Sequence, residues 1–445
     1  MKQIASIQNE LLEKIKPLSA KGKLFIWFLL LIFLSGVCAY IYQLREGLVV
    51  TAMRDYVSWG LYISVFIFFI GISHVGALMS AILRLTNAEW RYPITRMAEA
   101  ITFASLLFAG LMPIFDLGRP DRILHLFQYG RIQSPIVWDI LAIATYFVGS
   151  LIFLYLPMIP DLALLRDSSK NFSSWKRKIY SKFSLQWNNT PLQKKLLERS
   201  IGIMTVIILP IAVSVHTVVS WLFAMTLHPG WSSTIFGPYF VSGAIMSGCA
   251  AVIIAMAAFR KAYHLEKFIT LKHFQKLSVL LLVLALIYFY FNVNEYGVPA
   301  YKMEHSEKSF LEDLFYGKYS GVYWTIQIAG LFIPILLLAF SALRKSIGIM
   351  VIASSLIVIG SIIKRYLIVI PALLHPFIPI QNAPENYSSY FPSATEWLIV
   401  AGSFAGFLLV YIGFSRLFPI VPIIETAQNF KTDDRILNVK HVVHD

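Results

Sequence analysis

Three side chains that can exchange protons lie in or beside long apolar stretches of this 445-residue sequence: His74, Asp116 and His216. Ionisable groups are costly in lipid, so they usually face the interior of a helical bundle and mark a functional site. Because imidazole and carboxyl groups in suitable environments pass protons, the three residues predict a proton relay. Two structural alternatives stay open: a histidine that only bonds to a neighbouring helix, and an Asp116 that only pairs with Arg119.

Aromatic residues flank these polar positions and indicate what they act on. The sequence holds ten Trp and 22 Tyr, most of which we expect in belts at the two membrane surfaces. A flat, mostly apolar ligand with a polar atom at each end would suit a pocket of such rings beside His and Asp. A quinone has this form, and the residues expected to contact it are Trp59, Tyr62, Arg119, Trp221 and Tyr239.

A second set of charged residues lies farther along the chain, within or at the ends of apolar segments. Glu295 ends one such segment, whereas Lys364 and Arg365 lie inside another. Glu295 and Arg365 are candidates for a proton path coupled to redox change. Structural pairing is the alternative for both residues.

The sequence predicts neither a haem nor a metal site in this chain. A membrane cytochrome with two haems needs four axial histidines at matched depths, but only His74 and His216 lie well inside apolar segments. The histidines show no HxxxH spacing, and two cysteines, Cys38 and Cys249, are too few for a thiolate cage.

These residues must be positioned by membrane-spanning helices. Of the sequence, 57% is hydrophobic and 14% is charged, against about 25% charged in soluble domains. An apolar run of about 20 residues can span a bilayer as a helix. Ten such segments are predicted, at residues 24–44, 57–83, 97–117, 136–158, 200–227, 235–260, 275–295, 320–343, 346–371 and 395–418. The chain is therefore predicted to be an all-α, multi-pass membrane protein.

The distribution of Lys and Arg predicts the orientation, because these residues are enriched in cytoplasmic loops. With the N-terminus inside, 28 of the 38 Lys and Arg residues fall on the cytoplasmic side and eight fall outside. Both termini are therefore predicted to be cytoplasmic, and the net charge of +14 requires no nucleic-acid partner. Asp116 then lies at the outer end of the third segment, and counting from Val57 places His74 about 25 Å into the second.

Two regions outside the spans carry their own predictions. Ahead of the first span, Ile4, Ile7, Leu11, Leu12 and Ile15 recur at helical spacing. They predict a short amphipathic helix that lies in the cytoplasmic interface or packs against a partner. Residues 159–199 are predicted to form a basic cytoplasmic loop near anionic lipid.

Several motifs, in order and spacing, resemble those of a known family. They are SWGLYISVFIFFIGISHVGAL, DLGRPDRILHLF, SPIVWD, HTVVSWLFA, PGWSSTIFGPYFVSGA, NEYG, KRYLIVIP and EWLIVAGSFAGFLLVYIGFSRLFPIVPI. Over about residues 54–425 the chain resembles the NrfD/PsrC family of quinone-interacting membrane subunits, to which the polysulfide reductase anchors belong. With ten predicted helices, its length resembles that of the ten-helix members, which are ActC and ActF of alternative complex III and the DsrP- and Hme-type subunits.

The resemblance implies two four-helix bundles, predicted spans 2–5 and 6–9, with spans 1 and 10 at their flanks. It implies a menaquinone or ubiquinone site near the outer face of the inner (cytoplasmic) membrane, and no haem in this chain. It also implies an iron–sulfur, ferredoxin-like subunit on that face. Other membrane subunits and a molybdopterin subunit or multihaem cytochrome accompany it in such complexes.

The resemblance also bears on individual residues. His74 and Asp116 match the proton-path residues proposed for the family, and His216 matches the histidine of the fifth span. Leu222 and Ser232 depart from the pattern, because respiratory members often have Asp and His at these positions. Proton steps or quinone contacts that depend on those two side chains are therefore not carried over.

We interpret the chain as the quinone-reactive subunit of a respiratory oxidoreductase, with His74, Asp116 and His216 as its catalytic residues. A stand-alone secondary transporter and an ion-translocating subunit without its own redox site are the alternatives. The predicted regions are 1–23 (amphipathic segment), 24–56 (first span and outer loop), 57–227 (first bundle, with the quinone site), 228–371 (second bundle), 372–418 (outer loop and last span) and 419–445 (cytoplasmic tail).

Overall fold

Ten helices long and apolar enough to cross a membrane make up most of the structure. It is a computed structural model that describes residues 2–13, 19–168, 173–378 and 380–429, and these ranges contain no strand. The prediction of an all-α protein with ten spans is confirmed. In chain order, spans 1 to 10 are Ala20–Glu46, Leu61–Leu85, Glu89–Asp116, Pro135–Asp167, Pro191–Ala224, Phe236–Ala262, Leu271–Lys302, Ser320–Ala339, Ile347–Leu374 and Ala394–Leu417.

Several spans are longer than the apolar segments that predicted them. Span 5 begins at Pro191 rather than near residue 200, because Thr190 caps it. The Thr190 side chain accepts the Gln193 amide hydrogen, and the Gln193 side chain bonds back to the Thr190 amide. Together with the end of span 4 and a short helix, Ser174–Phe183, this start makes much of the predicted 159–199 loop helical. Capping extends these helices beyond their apolar residues. A hydropathy profile does not detect such polar extensions.

Span 2 lies at the centre of the structure, and almost all of its residues are buried. It packs along span 3 and also contacts spans 5, 6, 9 and 10. Gly76 allows span 3 to approach closely, since a Cβ at this position would collide with the Ala98 carbonyl oxygen. Spans 4 and 5 pack together, and spans 6 to 9 pack on one another. The polar residues of span 2 are therefore shielded from lipid on every side.

Spans 1 and 10 form a pair at the edge of the structure. Gly36 and Gly402 face each other, and a Cβ on Gly36 would lie 2.8 Å from the Gly402 Cα. Small residues at a crossing let two helix backbones approach within a membrane. The opposite surface of span 1 exposes Leu24, Trp27 and Leu31. This surface suits contact with lipid or another subunit.

Both ends of the described chain lie at one face of the bundle, which we call the terminal face; the opposite face is the site face. In the N-terminal helix, Lys2–Glu13, Ile7 and Leu11 are buried, and Glu10 binds Lys267 at 2.7 Å. The apolar side of this helix therefore packs on its own chain. The side chains of Ile4 and Ile15 lie outside the described residues.

A buried ion pair fixes the C-terminal segment to the terminal face. Arg96 of span 3 and Asp161 of span 4 bind at 2.6 Å, and both side chains are almost completely buried. Asp161 also accepts the amide hydrogens of Ile423 and Ile424, each at 3.0 Å. The segment after span 10 is thus part of the fold. The tail beyond residue 429 lies outside the described residues.

Candidate functional site

A group of polar side chains lies at the site face, where span 3 ends and span 2 begins. Asp116, the last residue of span 3, is half-buried, and its Oδ1 has no hydrogen-bond partner among the described residues. Tyr62, in the first turn of span 2, is fully buried and donates to Gln43 Oε1 at 2.6 Å. Gln43 Nε2 donates to the carbonyl oxygen of Phe115 at 2.7 Å. We call Gln43, Tyr62 and Asp116 the Asp116 cluster.

The segment between spans 1 and 2 borders this cluster and is anchored by Glu396 of span 10. The Glu396 carboxylate accepts the Ala52 amide hydrogen at 2.8 Å and the Tyr390 hydroxyl at 2.5 Å. Tyr390 in turn accepts the Leu61 amide hydrogen at 2.8 Å. Burial, and then the neighbouring Glu396 carboxylate, raise the pKa of Tyr390. This phenol therefore keeps its proton and holds the start of span 2 in place.

Two histidines form a fully buried pair in the middle of the bundle. The rings of His74 in span 2 and His216 in span 5 have centroids 4.7 Å apart. His74 Nδ1 lies 2.7 Å from the Ile70 carbonyl oxygen, and its Nε2 lies 2.7 Å from that of Ala212. Neither ring nitrogen of His216 has a hydrogen-bond partner among the described residues. We call these two residues the histidine pair.

The Asp116 cluster and the histidine pair are at different depths. Thr102 of span 3 donates to the Ser73 carbonyl oxygen, so Thr102 lies level with His74. From Thr102 to Asp116 the helix advances about 21 Å at 1.5 Å per residue. Span 2 begins at Leu61 rather than at residue 57, so His74 lies about 20 Å from its start, near the middle of the helix. A ring bound at the Asp116 cluster is therefore out of contact with the histidines.

The other residues expected at the ligand site are dispersed. Trp59 is half-buried, stacks on Trp231 with centroids 6.2 Å apart and meets the edge of Phe223. Trp221 is 45% exposed and belongs to neither group. Arg119 is exposed and binds Asp121 at 2.9 Å rather than Asp116. The alternative in which Asp116 only pairs with Arg119 is therefore not what the structure contains.

A cavity of about 260 Å³ opens at the site face near Trp59. None of His74, Asp116 and His216 lines it. Burial lowers the pKa of His228 in its wall, which keeps that imidazole neutral. Its lining residues are Asp55, Tyr56, Ser58, Leu227, His228, Leu373, Pro376, Ile378 and Ile380.

Tyr239 belongs to a second polar network, which lies among spans 6 to 9. Its hydroxyl donates to Asn292 Oδ1 at 3.1 Å and accepts from Tyr288 at 3.1 Å. Asn292 Nδ2 donates to Gln327 at 2.8 Å. Gln327 lies in a π-helical stretch of span 8, Ile326–Phe332, and such stretches are frequent at functional sites.

The same network contains the charged residues of the second half of the chain. Lys364 Nζ donates to the Tyr296 hydroxyl at 2.8 Å, and Ser233 donates to Glu295 at 2.5 Å. Arg365 is buried, and its guanidinium lies 5.2 Å from the centroid of Phe240. The Phe240 ring is in turn 5.7 Å from that of His216. Arg365 thus stands between the histidine pair and the second network.

Sequence reasoning missed three buried polar residues in the first half of the chain. Gln43 and Asp139 lie in spans 1 and 4, and Glu99 lies on span 3 one turn from Thr102 toward the terminal face. Asp139 Oδ1 and Glu99 Oε1 have no partner among the described residues. Each was detectable as an isolated polar residue within a span, although the sequence did not reveal that it faced inward.

The profile of the polysulphide reductase NrfD family matches residues 49–376, most of the chain. The chain belongs to the NrfD family. This match covers the Asp116 cluster except Gln43, and it includes the histidine pair and the second network. The family resemblance read from the sequence motifs is therefore confirmed.

Curated relatives extend over nearly the whole chain. A protein named as a dimethyl sulfoxide reductase membrane subunit, from Halobacterium salinarum, is 26% identical over 89% of this chain and 91% of its own length. A selenate reductase subunit from Mesobacillus selenatarsenatis is 26% identical over 90% of this chain and 94% of its own. The integral membrane subunit of a menaquinone reductase from Nitratidesulfovibrio vulgaris is 23% identical, with 90% and 93% covered. This NrfD-family chain is thus a multi-pass membrane protein related to subunits of oxidoreductase complexes.

Proposed function

We propose that this chain is the quinone-reactive membrane subunit of a respiratory oxidoreductase complex. Quinone or quinol would bind at the Asp116 cluster and exchange electrons with an iron–sulfur subunit docked on the site face. The name of one relative, a menaquinone reductase subunit, favours a menaquinone-type ligand. Oxidation of a quinol releases two electrons and two protons, and reduction of a quinone takes up the same number.

One observation carries this proposal: Asp116 presents an unpartnered carboxylate oxygen at the edge of an aromatic, apolar surface. The residue as a whole is half-buried, while its unpartnered Oδ1 is turned inward and shielded from solvent. Tyr40 and Phe115 lie beside it with ring centroids 4.6 Å apart, and both rings are partly buried. A polar acceptor next to such rings fits a quinone head group, which needs one polar contact for each oxygen and an apolar surface for its ring.

The residues of the cluster have different chemical roles. The Asp116 carboxylate would take a proton from a hydroxyl that reaches it, or return one, as a general base or acid. Tyr62 and Gln43 are positioning residues, since their hydrogen bonds connect span 2 to span 1 and to the last turn of span 3. Asp116 Oδ1, which is buried and has no hydrogen-bond partner among the described residues, is the atom to which the ligand hydroxyl would bind.

The histidine pair would act at a distance, as a relay that holds or passes protons below the Asp116 cluster. About 21 Å along span 3 separates the two groups, so the proposal gives the histidines no contact with the ligand ring. Thr102 and Tyr146 both donate to the Ser73 carbonyl oxygen at the same level. These bonds fix the backbone that carries His74.

The electrons must leave through another subunit. The sequence contains two cysteines, Cys38 and Cys249, whereas iron–sulfur clusters are usually held by about four thiolates. The exposed surface of the site face near Arg119 and Asp121 is where an iron–sulfur partner would dock. The histidine pair has no role in electron transfer in this proposal.

Quinol oxidation by the purified complex tests the assignment. Asp116→Asn removes the proton acceptor while it preserves the shape of the side chain, and turnover is expected to fall by about 100-fold, since general acid–base groups contribute roughly 10²–10⁴-fold. Asp167→Asn is the matched control, because Asp167 is exposed at the opposite, terminal face and pairs with Arg166. Wild-type turnover in the Asp116→Asn complex would refute the site.

A second candidate function is proton translocation, favoured by a series of buried polar groups that includes the histidine pair, Arg365, Lys364 and Glu295. Vesicles that contain the complex and a pH-sensitive dye would report it. Lys364→Met is expected to abolish the pH response and leave electron transfer measurable. Lys345→Met, at an exposed position, is the control. Electron transfer by the wild-type complex without any pH response would exclude this function.

A further inference from the structure

A large cavity, none of whose lining residues belongs to the Asp116 cluster, opens toward the terminal face. Its volume is about 830 Å³, within the range of roughly 300–1,000 Å³ that is usual for ligand pockets. Span 1 forms one wall with Phe25 and Ile26, and spans 6, 9 and 10 form the others. We call it the span 1 cleft.

The cleft follows from the way in which span 1 packs. Gly36 and Gly402 bring spans 1 and 10 into backbone contact in the middle of the membrane. Toward the terminal face the two helices carry Phe25, Phe404 and Phe407, whose side chains line the cleft between them. The close crossing and the bulky residues beyond it leave an open wedge between span 1 and span 6.

The length of the cleft matches one leaflet of a bilayer. Along span 6 it runs from Ala251 to Ala262, about 16 Å at 1.5 Å per residue. The hydrocarbon core of a bilayer is about 30 Å thick, so one leaflet contributes about 15 Å. A ligand that fills the cleft would therefore be as long as a single acyl layer and would end at the membrane surface.

The walls of the cleft are apolar, and its polar groups gather at the terminal face. Ile72, Ile101 and Phe68 form the deep end, while Tyr263 and Arg416 lie at the shallow end. Arg416 lies over the Tyr263 ring, 4.8 Å from its centroid. The apolar end suits hydrocarbon and the other end suits a charged head group.

The charge at the mouth of the cleft is positive. Arg416 and His264 line it, and the exposed Lys21 and Lys23 flank Gly22, another lining residue. Of the described residues that line the cleft, none is Asp or Glu. Basic residues at this depth attract anionic lipid head groups, each by about 1 kcal/mol near the surface.

We infer that the span 1 cleft is a binding site for an anionic phospholipid, with one acyl chain between spans 1 and 6 and the phosphate at Arg416. The lipid fills the space between the flanking pair, spans 1 and 10, and the rest of the protein. This inference is independent of the proposed quinone site, because no residue of the Asp116 cluster or the histidine pair lines the cleft.

Native mass spectrometry of the intact complex, with chemical identification of the extracted lipids, tests the site. Ala258→Phe and, separately, Ala262→Phe place a large side chain in the cleft from exposed positions of span 6. Each is expected to remove one tightly bound phospholipid per chain. Ala144→Phe makes the same change at an exposed position of span 4 outside the cleft and is expected to retain the lipid.

The preference of the cleft for an anionic lipid head group is tested with the complex in nanodiscs of defined lipid composition. The wild-type complex is expected to retain phosphatidylglycerol over phosphatidylethanolamine, and Arg416→Gln is expected to lose that preference. Retention of the bound phospholipid in both filled-cleft variants would overturn the proposal. Release of a quinone instead of a phospholipid, or an unchanged head-group preference in Arg416→Gln, would overturn it as well.

Discussion

His74 and His216 lie in ring contact at the centre of the protein, yet only His74 has hydrogen-bond partners among the described residues. Both nitrogens of His74 face carbonyl oxygens at 2.7 Å. A neutral imidazole has a single N–H donor, so a second proton is needed to make both bonds. His216 is under no such constraint and can serve as the exchange partner for that proton.

His216→Phe is expected to separate proton transfer from stability. The phenyl ring fills the same space, and the imidazole nitrogens that it replaces have no partner among the described residues. Removing an unpaired buried polar group is neutral or stabilising, so thermal unfolding in detergent should be unchanged or shifted upward. Turnover with quinol should fall at least tenfold if the relay is used.

His74→Phe is the contrasting variant. It removes the bond from span 2 to the Ala212 carbonyl oxygen of span 5 and is expected to lower both thermal stability and turnover. Equal turnover in wild-type and His216→Phe complexes would show that the histidine pair is structural. Matched complex yields, checked by copurification of the other subunits, make the comparison valid.

Gln43→Leu is expected to impair quinol turnover although Gln43 lies on the flanking span 1. The change removes the acceptor of the Tyr62 hydroxyl and the donor to the Phe115 carbonyl oxygen. A net loss of about 1 kcal/mol per hydrogen bond corresponds to a roughly 5-fold effect for one bond and roughly 30-fold for both.

Gln128→Leu, at an exposed position near the same face, is the control for Gln43→Leu. A positioning role predicts that kcat falls while KM changes little, because the ligand still finds Asp116. A rise in KM alone would instead place Gln43 in direct contact with the ligand.

Asp161→Asn is expected to destabilise the chain strongly. Breaking a buried ion pair by removal of one partner costs about 3–5 kcal/mol, since the remaining charge stays buried. Arg96 would keep that charge, and the Ile423 and Ile424 amides would lose an ionised acceptor. Thermal unfolding and protease cleavage after span 10 would report the loss.

The exposed pair formed by Arg166 and Asp167 supplies the control for this experiment. Asp167→Asn should change stability by less than about 1 kcal/mol, as is usual for pairs open to solvent. If Asp161→Asn is as mild as Asp167→Asn, the ion pair does not hold the C-terminal segment.

Gly402→Ala is expected to loosen span 1 from span 10. The added Cβ would lie 2.8 Å from the Gly36 Cα, so the helices must separate, and overpacking of this kind costs about 1–3 kcal/mol. Gly413→Ala on the same helix is the control, because nothing lies within 4 Å of its added Cβ. Equal thermal stability of the two variants would contradict the close crossing.

The spans and the family were predictable from the sequence, whereas several boundaries were not. Hydropathy identifies the segments that must be buried in lipid, and the motifs around His74, Asp116 and His216 are read directly. The start of span 5 at Pro191 depends on the capping interaction of Thr190 and Gln193. Such local hydrogen bonds leave no trace in a hydropathy profile.

The composition of the site was only partly predictable. Sequence position places Asp116 at a helix end but does not reveal that Gln43, from another span, would bond to its neighbour Phe115. Trp221 and Arg119 looked suitable by type and position, but the rotation of their helix and loop leaves both exposed. Tyr239 faces Asn292 and Tyr288 for the same reason.

The sequence by itself determined that this is a ten-span helical membrane protein of the NrfD family with protonatable groups inside the bundle. It did so because lipid forces apolar residues into runs of fixed length and admits few polar exceptions. Only the tertiary structure decided which of these polar residues come into contact with one another. Helix rotation and crossing set these contacts, and they put the histidine pair about 21 Å from Asp116 rather than beside it.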